Sequence, residues 1–441
     1  MWLAPLPILV VAPRIRALPA FGVACLAWFL GGLNMWRYLH KTVEMPIPVV
    51  LVILILPAGV FGLAVLMARR FTRRGALWRA SLALPVLWVA FEYIAEVTSP
   101  HSTWGNLGYT QMNFLPVLQV VSLTGIWGIS FCVLLLSATI VALLSKHGTA
   151  SQKAKLGVTI GLFLAGVMVY GSWRLVASPK PQYSVKVALL STGDLNLFPH
   201  QAAAALELLR SYADQASALA AQGPQVIVLP EKIAAVSDQT TQEVDALFET
   251  TASRAHAMIL VGLDRGTETR RSNEARLYSP GGALAAVYDK HHLIPRFEDV
   301  DQPGTSSAVL TEPSGIWGIE ICKDMDFPQL SHQYGADGIG LLLVPAWDFI
   351  LDGWLHGRMA IMRGVESGFT IARAAKQGEL TVTDDRGRLL ADWNQGGNQF
   401  VSISADAPVR HDSTLYVRWG DWFAWTVIAA LAFLLLSLLY S

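Results

Sequence analysis

Gly318-Ile-Glu-Ile-Cys-Lys-Asp-Met-Asp-Phe-Pro328 reads as a short buried strand, carried by Ile319 and Ile321, that ends on Cys322 and breaks into a polar turn closed by Pro328. A thiol at a strand end, followed at once by charges, stands where backbone N–H groups are free. There its pKa can be lowered and it can attack a carbonyl. The alternative is a small buried hydrophobe, which is what most lone cysteines are. Two other stretches bear on the choice. Val226-Ile-Val-Leu-Pro-Glu231 is an apolar strand that stops at Pro230 and presents Glu231. Ala286-Val-Tyr-Asp-Lys290-His-His-Leu-Ile-Pro295 makes the same apolar-to-polar transition and presents Lys290. Three strand-like runs thus end on a carboxylate, an ammonium and a thiol. Each residue alone says little, because Glu and Lys are mostly solvated surface. Together they supply a base for the thiol proton and a cation for the oxyanion of a tetrahedral intermediate.

The order and contexts of Glu231, Lys290 and Cys322 resemble the nitrilase, or carbon–nitrogen hydrolase, superfamily. Within it, Tyr288-Asp-Lys290-His-His-Leu-Ile-Pro295 with Glu298, and Thr414-Leu-Tyr-Val-Arg-Trp-Gly-Asp421, resemble the membrane-bound apolipoprotein N-acyltransferases. So do Leu107-Gly-Tyr-Thr-Gln111 and Leu123-Thr-Gly-Ile-Trp-Gly-Ile-Ser130 in the apolar part. The resemblance runs from about residue 20 to the C-terminus.

Composition agrees with a membrane protein. Of 441 residues 53% are hydrophobic and 15% charged, which is too apolar for an ordinary soluble chain. The 33 basic and 33 acidic residues balance, so charge gives no argument for a nucleic-acid partner. Of the three cysteines, Cys25 and Cys132 lie in apolar runs, leaving Cys322 alone in the polar part and without a disulfide partner there. Trp2–Val11 is too short to span and lacks a basic leader, so it does not read as a signal peptide. Against the family pattern the chain begins late, and this segment reads as the remnant of an earlier span.

Runs of about 20 or more mainly apolar residues, enough to cross a ~30 Å core, follow at 17–36, 46–67, 78–97, 115–144 and 156–177, and a last one at 423–440. The fourth is the longest, so its first turns are expected in the interface. Six such runs together argue against buried core helices. Arg14 and Arg16, then Arg69, Arg70, Arg73, Arg74 and Arg79, then Lys146, Lys153 and Lys155 fall on one side of these spans. The positive-inside rule makes that side cytoplasmic, with Arg37 and Lys41 a mild exception. The domain after residue 178 is therefore expected on the outer face, and the resemblance implies that the membrane is a bacterial inner membrane.

The expected organisation is a transmembrane bundle at 1–178, a linker at 179–183, an α/β domain at 184–408, a connector at 409–422 and a last span at 423–441. In the α/β domain, Val185–Leu190, Gln225–Leu229, Leu341–Val344 and Thr370–Ala374 read as strands, and His200–Gln222 and Gly357–Gly368 as helices. Alternation gives a layered α/β architecture; the resemblance implies the α-β-β-α sandwich of the nitrilase fold with its site at the strand ends.

The resemblance further implies a two-step acyl transfer with Glu231 as base, Cys322 as nucleophile and Lys290 at the oxyanion. Its donor would be a phospholipid and its acceptor the N-terminal amine of a diacylglyceryl-cysteine apolipoprotein. No cofactor and no metal are expected, and no His/Cys spacing suggests one. Glu298 and Asp324 fall where the family has supporting carboxylates, Asp324 being one methylene shorter than the usual glutamate. Trp347, Phe349 and Trp354, with Ile350, Leu351 and Leu355, form an apolar stretch interrupted by Asp348 and Asp352. At a lid or membrane interface such aromatics hold acyl chains; ordinary core packing is the other reading. His356 reads as structural. The pocket departs from the family pattern at Lys323, at Val344-Pro-Ala-Trp347, at Lys376 and at Ser191-Thr-Gly193. Two other functions stay open on the sequence. One is a membrane-tethered amidase or an acyltransferase for another amine; the other is a silent scaffold.

Overall fold

The computed structural model describes residues 1–192, 199, 201–267, 269–394 and 399–439; Gly193, His200 and Tyr440, which bound three expected segments, lie outside them. The chain divides into two compact units, Met1–Val176 together with the chain from Trp419 onward, and Ala177–Arg418.

The first unit is helical: α1 (Leu6–Val11), α2 (Ala17–Gly32), α3 (Ile47–Arg73), α4 (Leu77–Thr98), α5 (Leu115–Leu118), α6 (Val121–Thr124), α7 (Trp127–Leu144) and α8 (Ala150–Val176). Among the described residues six helices are long and apolar enough to cross a membrane: α2 with its extension to Met35, α3, α4, α7, α8 and the C-terminal Trp422–Leu439. The fourth apolar run is not one helix. Gly125 takes φ 65°, a left-handed conformation that ends α6 and lets α7 start afresh. A side chain on the nearby Gly128 would meet Thr124 Oγ1 at 2.1 Å, so the break is packed tightly. Helices α3 and α8 each outrun the expected span, α3 carrying Arg69, Arg70 and Arg73 in its last turns, where arginine is a good helix former. Arg69 donates to the carbonyls of Ala12 and Ile15, the latter at 2.7 Å, and Gly75 lies beside His147. The three basic clusters therefore share one end of the bundle.

The second unit holds β1 (Tyr183–Thr192), α9 (Ala202–Leu219), β2 (Val226–Val228), β3 (Ala235–Ser237), α10 (Asp238–Ala255), β4 (Met258–Gly266), β5 (Arg271–Tyr278), β6 (Leu284–Asp289), β7 (Ala308–Glu312), β8 (Gly315–Ile319), α11 (Pro328–Ala336), β9 (Leu341–Trp347), α12 (Gly353–Ser367), β10 (Thr370–Lys376), β11 (Glu379–Thr383), β12 (Leu389–Asn394), β13 (Phe400–Val409) and α13 (Leu415–Trp419). The last helix, α14 (Trp422–Leu439), belongs to the first unit. Two six-strand ladders form, in the orders β13-β1-β2-β4-β5-β6 and β12-β11-β10-β9-β8-β7, with β3 added beside β4. Each is parallel at its centre, through β1-β2-β4 and β8-β9-β10, and antiparallel outside it.

Strand alternation sorts the core into layers. Val185, Val187 and Leu189 share a core with Leu341 and Leu343, between the sheets. Ala188 and Leu190, one residue out of phase, pack with Leu209 and Phe248 of α9 and α10. Leu342 and Val344 likewise pack with Tyr334 of α11 and Ala360 of α12. Because both faces of the central strands are buried, they read as unbroken apolar runs rather than alternating ones. The result is an α-β-β-α sandwich. Pro345 sits inside central β9, where a missing N–H normally breaks a ladder. The Leu343 carbonyl accepts from Glu320 N at 3.2 Å, so residue 345, two on, faces the same side, where pairing with β8 has already stopped at Ile319.

Candidate active site

In open α/β sheets the carboxyl ends of the parallel strands are where sites form. Here those ends deliver Glu231 (after β2), Cys322 (after β8), Trp347 (end of β9) and Lys376 (end of β10), with Lys290 following antiparallel β6. The Glu231 turn packs without slack: a side chain on Gly262 of β4 would lie 2.3 Å from Pro230 O and 2.6 Å from Glu231 Cα.

Glu231, Lys290 and Glu298 form one buried cluster. Lys290 Nζ donates to Glu231 Oε1 at 2.7 Å and to Glu298 Oε2 at 2.9 Å. Asn273 on β5 bridges the same carboxylates through Nδ2, at 2.5 Å to Glu231 and 2.7 Å to Glu298. Lys232 adds a second cation, 3.2 Å from Glu298 and 2.5 Å from Asp301. Burying an unpaired charge costs several kcal/mol, so the alternation of carboxylate and ammonium is what lets the cluster stay dry. Burial works against the Lys290 charge, but Glu231 and Glu298 outweigh it and hold its pKa well above the ordinary lysine value. Burial would raise Glu298, yet Lys290 and Lys232 bring it down to about 2. Glu231 Oε2 has no hydrogen-bond partner among the described residues. It is an acceptor without a donor.

Cys322 takes φ 45°, a left-handed backbone that non-glycine residues rarely adopt and that clusters at functional turns. Its Sγ reaches the Trp347 carbonyl at 3.5 Å. The thiol pKa is not lowered, as the strand-end position suggested. Burial pushes it well above the ordinary cysteine value; Glu231 pushes the same way, and Lys290 pulls it back. The resting group is a thiol, which would need a base in order to act as a nucleophile.

Asp324 is fully buried and ties the Cys322 elbow to the Lys290 loop. Its Oδ1 accepts from His292 N at 2.8 Å and its Oδ2 from Tyr288 Oη at 2.7 Å and Ile321 N at 3.2 Å. Lys323 adds a second tie, donating to Leu293 O at 3.1 Å.

The aromatic stretch divides. Trp347 meets the thiol through its carbonyl and lies under Lys376 Nζ, 3.4 Å from the ring centroid. Phe349 packs on Phe297 at 5.3 Å, and Trp354 stands under Arg358 at 5.5 Å. Ile350, Leu351 and Trp354 are exposed, which core packing does not explain. Asp348 pairs with Arg373, at 3.0 Å through Nη1. His356 lies 3.6 Å from Asp348 and 3.4 Å from Asp352; burial opposes its charge, but these carboxylates raise its pKa to about 9. Asn273, Lys232, Asp301 and Arg373 were not singled out in the sequence. No local signal marks them: even Asn273, a poor strand former, sits in β5 among Arg271, Ser272, Glu274 and Arg276, where one more polar residue does not stand out.

Residues 1–139 match the family described as the apolipoprotein N-acyltransferase N-terminal domain, and residues 187–407, half of the chain, match the carbon–nitrogen hydrolase family. A protein of Geobacter metallireducens named apolipoprotein N-acyltransferase is 27% identical over 98% of this chain and 90% of its own length. One of the same name from Bradyrhizobium diazoefficiens is 26% identical over 86% of this chain and 78% of its own. Among solved structures, an amidase of Nesterenkonia sp. AN1 aligns with 53% of this chain and 96% of its own at 22% identity and a TM-score of 0.45. The chain belongs to the carbon–nitrogen hydrolase family, in its membrane-bound apolipoprotein N-acyltransferase branch.

Proposed function

We propose that this chain is an N-acyltransferase that moves a fatty acyl group from a phospholipid, through a Cys322 thioester, to the N-terminal amine of a diacylglyceryl-cysteine apolipoprotein. The observation that carries the reading is the raised Cys322 thiol on a left-handed elbow, with Glu231 and Lys290 as the charges that act on it most. Glu231 takes the thiol proton through its unpartnered oxygen. The sulfur attacks the ester carbonyl, and Lys290 with backbone N–H groups stabilises the oxyanion. The C–O bond breaks, and Glu231 returns the proton to the departing lysophospholipid. The acceptor amine then attacks the thioester. A C–N bond forms, the C–S bond breaks, and the amine proton passes through Glu231 to the sulfur. Glu298 and Asp324 act as supports, one fixing Lys290 and the other fixing the elbow. Trp347, Phe349 and Trp354 are assigned to the acyl chains. The setting would be a bacterial inner membrane with the α/β unit on its outer face.

The test is the intermediate. Detergent-solubilised protein mixed with phospholipid and no amine should gain the mass of one acyl group, removable by neutral hydroxylamine and absent in Cys322→Ala. A diacylated N-terminal cysteine peptide should then discharge it to a triacylated product. Discharge only by other amines would replace the acceptor. Hydrolysis of small amides without any lipid adduct would make the chain a membrane-tethered amidase and sink the proposal.

A further inference from the structure

Lys376 has no part in the chemistry just proposed, yet it is buried in the middle of it. It ends β10 in register with Trp347 of β9 and is 2% exposed. Its Nζ lies 3.4 Å from the Trp347 ring centroid and donates to the Lys232 carbonyl at 3.1 Å. Both contacts lead to reacting groups. The Trp347 carbonyl is the one that the Cys322 thiol reaches, at 3.5 Å. Lys232 follows Glu231 directly and stands at φ 44°, a backbone that needs outside support. One side chain therefore bridges the strand end beside the nucleophile and the turn that carries the base. The bridge favours the charged form. An ammonium is attracted to the face of an indole and makes a charge-assisted bond to a carbonyl, whereas a neutral amine keeps only a weak version of the second.

We propose that Lys376 is a positioning residue whose positive charge clamps the Glu231–Lys232 turn to Trp347, so that the site works with Lys376 protonated and loosens when it is neutral. The inference rests on the Glu231–Cys322 chemistry above and adds a group to it.

The charge is poised to be lost. Burial is the largest influence on Lys376 and brings its pKa down to about 7; Glu231 pulls it up and Lys232 pushes it down. Those two come from the turn after β2. From the other neighbours, Asp348 follows β9 and Arg373 lies on β10 itself, but they are paired with each other. The sign follows directly. Below about pH 7 the ammonium is present and the clamp is closed; above it the clamp opens and the rate falls. A thiol acting through its own ionisation would show the opposite trend, gaining reactivity as pH rises.

The experiment uses the full chain in detergent and 2-chloroacetamide as probe, with alkylation of Cys322 followed by peptide mass spectrometry between pH 5.5 and 8.5. Lys376→Arg keeps the charge throughout this range. The wild-type rate divided by the Lys376→Arg rate cancels any pH dependence the two share. That ratio should be near its plateau at pH 5.5, pass its midpoint near pH 7 and approach about a tenth of the plateau by pH 8.5, the scale of a buried cation–π contact. Lys376→Met should react about tenfold more slowly than wild type at low pH and match it at pH 8.5. A ratio to either variant that does not change with pH overturns the proposal, because a merely structural loss would act equally at every pH. Glu231→Gln separates the two levels. If it alkylates at the wild-type rate, the site chemistry fails. If it is slow while the Lys376 ratios stay flat, only the clamp fails.

Discussion

Asp324 shows how one buried carboxylate can hold the loops of this site together. Its two oxygens accept from five donors drawn from the end of β6, the loop after it and the elbow: Tyr288 Oη, His291 N, His292 N, His292 Nδ1 and Ile321 N. Asp324→Asn keeps the shape but replaces one acceptor oxygen by a donor, so at least one of these N–H or O–H groups loses its partner. Each buried donor left unpaired costs about 1–3 kcal/mol, and a displacement near 1 Å at a reacting atom can cost about 10²-fold in rate. Asp324→Asn should therefore melt lower and form the Cys322 thioester about 10²-fold more slowly. Unchanged acylation in a folded sample would remove Asp324 from the positioning role. The sequence made Glu231, Lys290 and Cys322 legible because each stands where an apolar run turns polar. It did not make Asn273 or Asp301 legible. Their partners are 42 residues away for Asn273 and Glu231, and 69 for Asp301 and Lys232, and no local pattern encodes such pairings. It also missed the direction of the thiol pKa, since the depth of burial is a property of two sheets closing over the elbow.

At the scale of elements, the two sheets explain why the strand ends converge. Val226 and Val228 point between the sheets and Ile227 and Leu229 toward the helices, so β2 is pinned on both faces and Glu231 emerges at a fixed point. Both-face burial also made these strands readable as apolar runs, while their partners in the sheet were not readable from one strand at a time. The fourth apolar run shows the opposite limit. Hydropathy saw one long span over 115–144 and could not see that Gly125 would turn left-handed and divide it. Gly262 tests how tightly an element places the base. A methyl there would overlap Pro230 O and Glu231 Cα. Overpacking of this kind costs about 1–3 kcal/mol, which a large α/β unit can absorb. Gly262→Ala should therefore fold, with a lowered melting temperature, and should lose most Cys322 acylation because the Glu231 turn is pushed outward. Full activity in Gly262→Ala would mean that the turn has room to spare and that its placement does not limit the chemistry.

At the scale of the whole molecule, access to substrate depends on which way the chain crosses the bilayer. The positive-inside rule counts Lys and Arg in short loops near the span ends. In this chain Arg69 of α3 caps the turn at Ala12–Ile15, the Gly75 turn meets His147, and Arg70 donates to the Leu438 carbonyl at 3.4 Å. The basic clusters and the far end of α14 thus gather at one end of the first unit, and a single assignment fixes all of them. If that end is cytoplasmic, α8 carries the chain outward at Val176, the α/β unit is outside, and α14 returns it. A phospholipid donor in the outer leaflet and an exported lipoprotein acceptor both require that orientation. A reporter that functions only outside the cytoplasm should be active when fused after Pro181 and silent when fused after Arg74. A cytoplasm-dependent reporter should give the complementary pattern. Activity of the first reporter at Arg74 and its silence at Pro181 would place Cys322 on the cytoplasmic side. The thioester chemistry could survive that result, but a lipoprotein acceptor on the outer face could not.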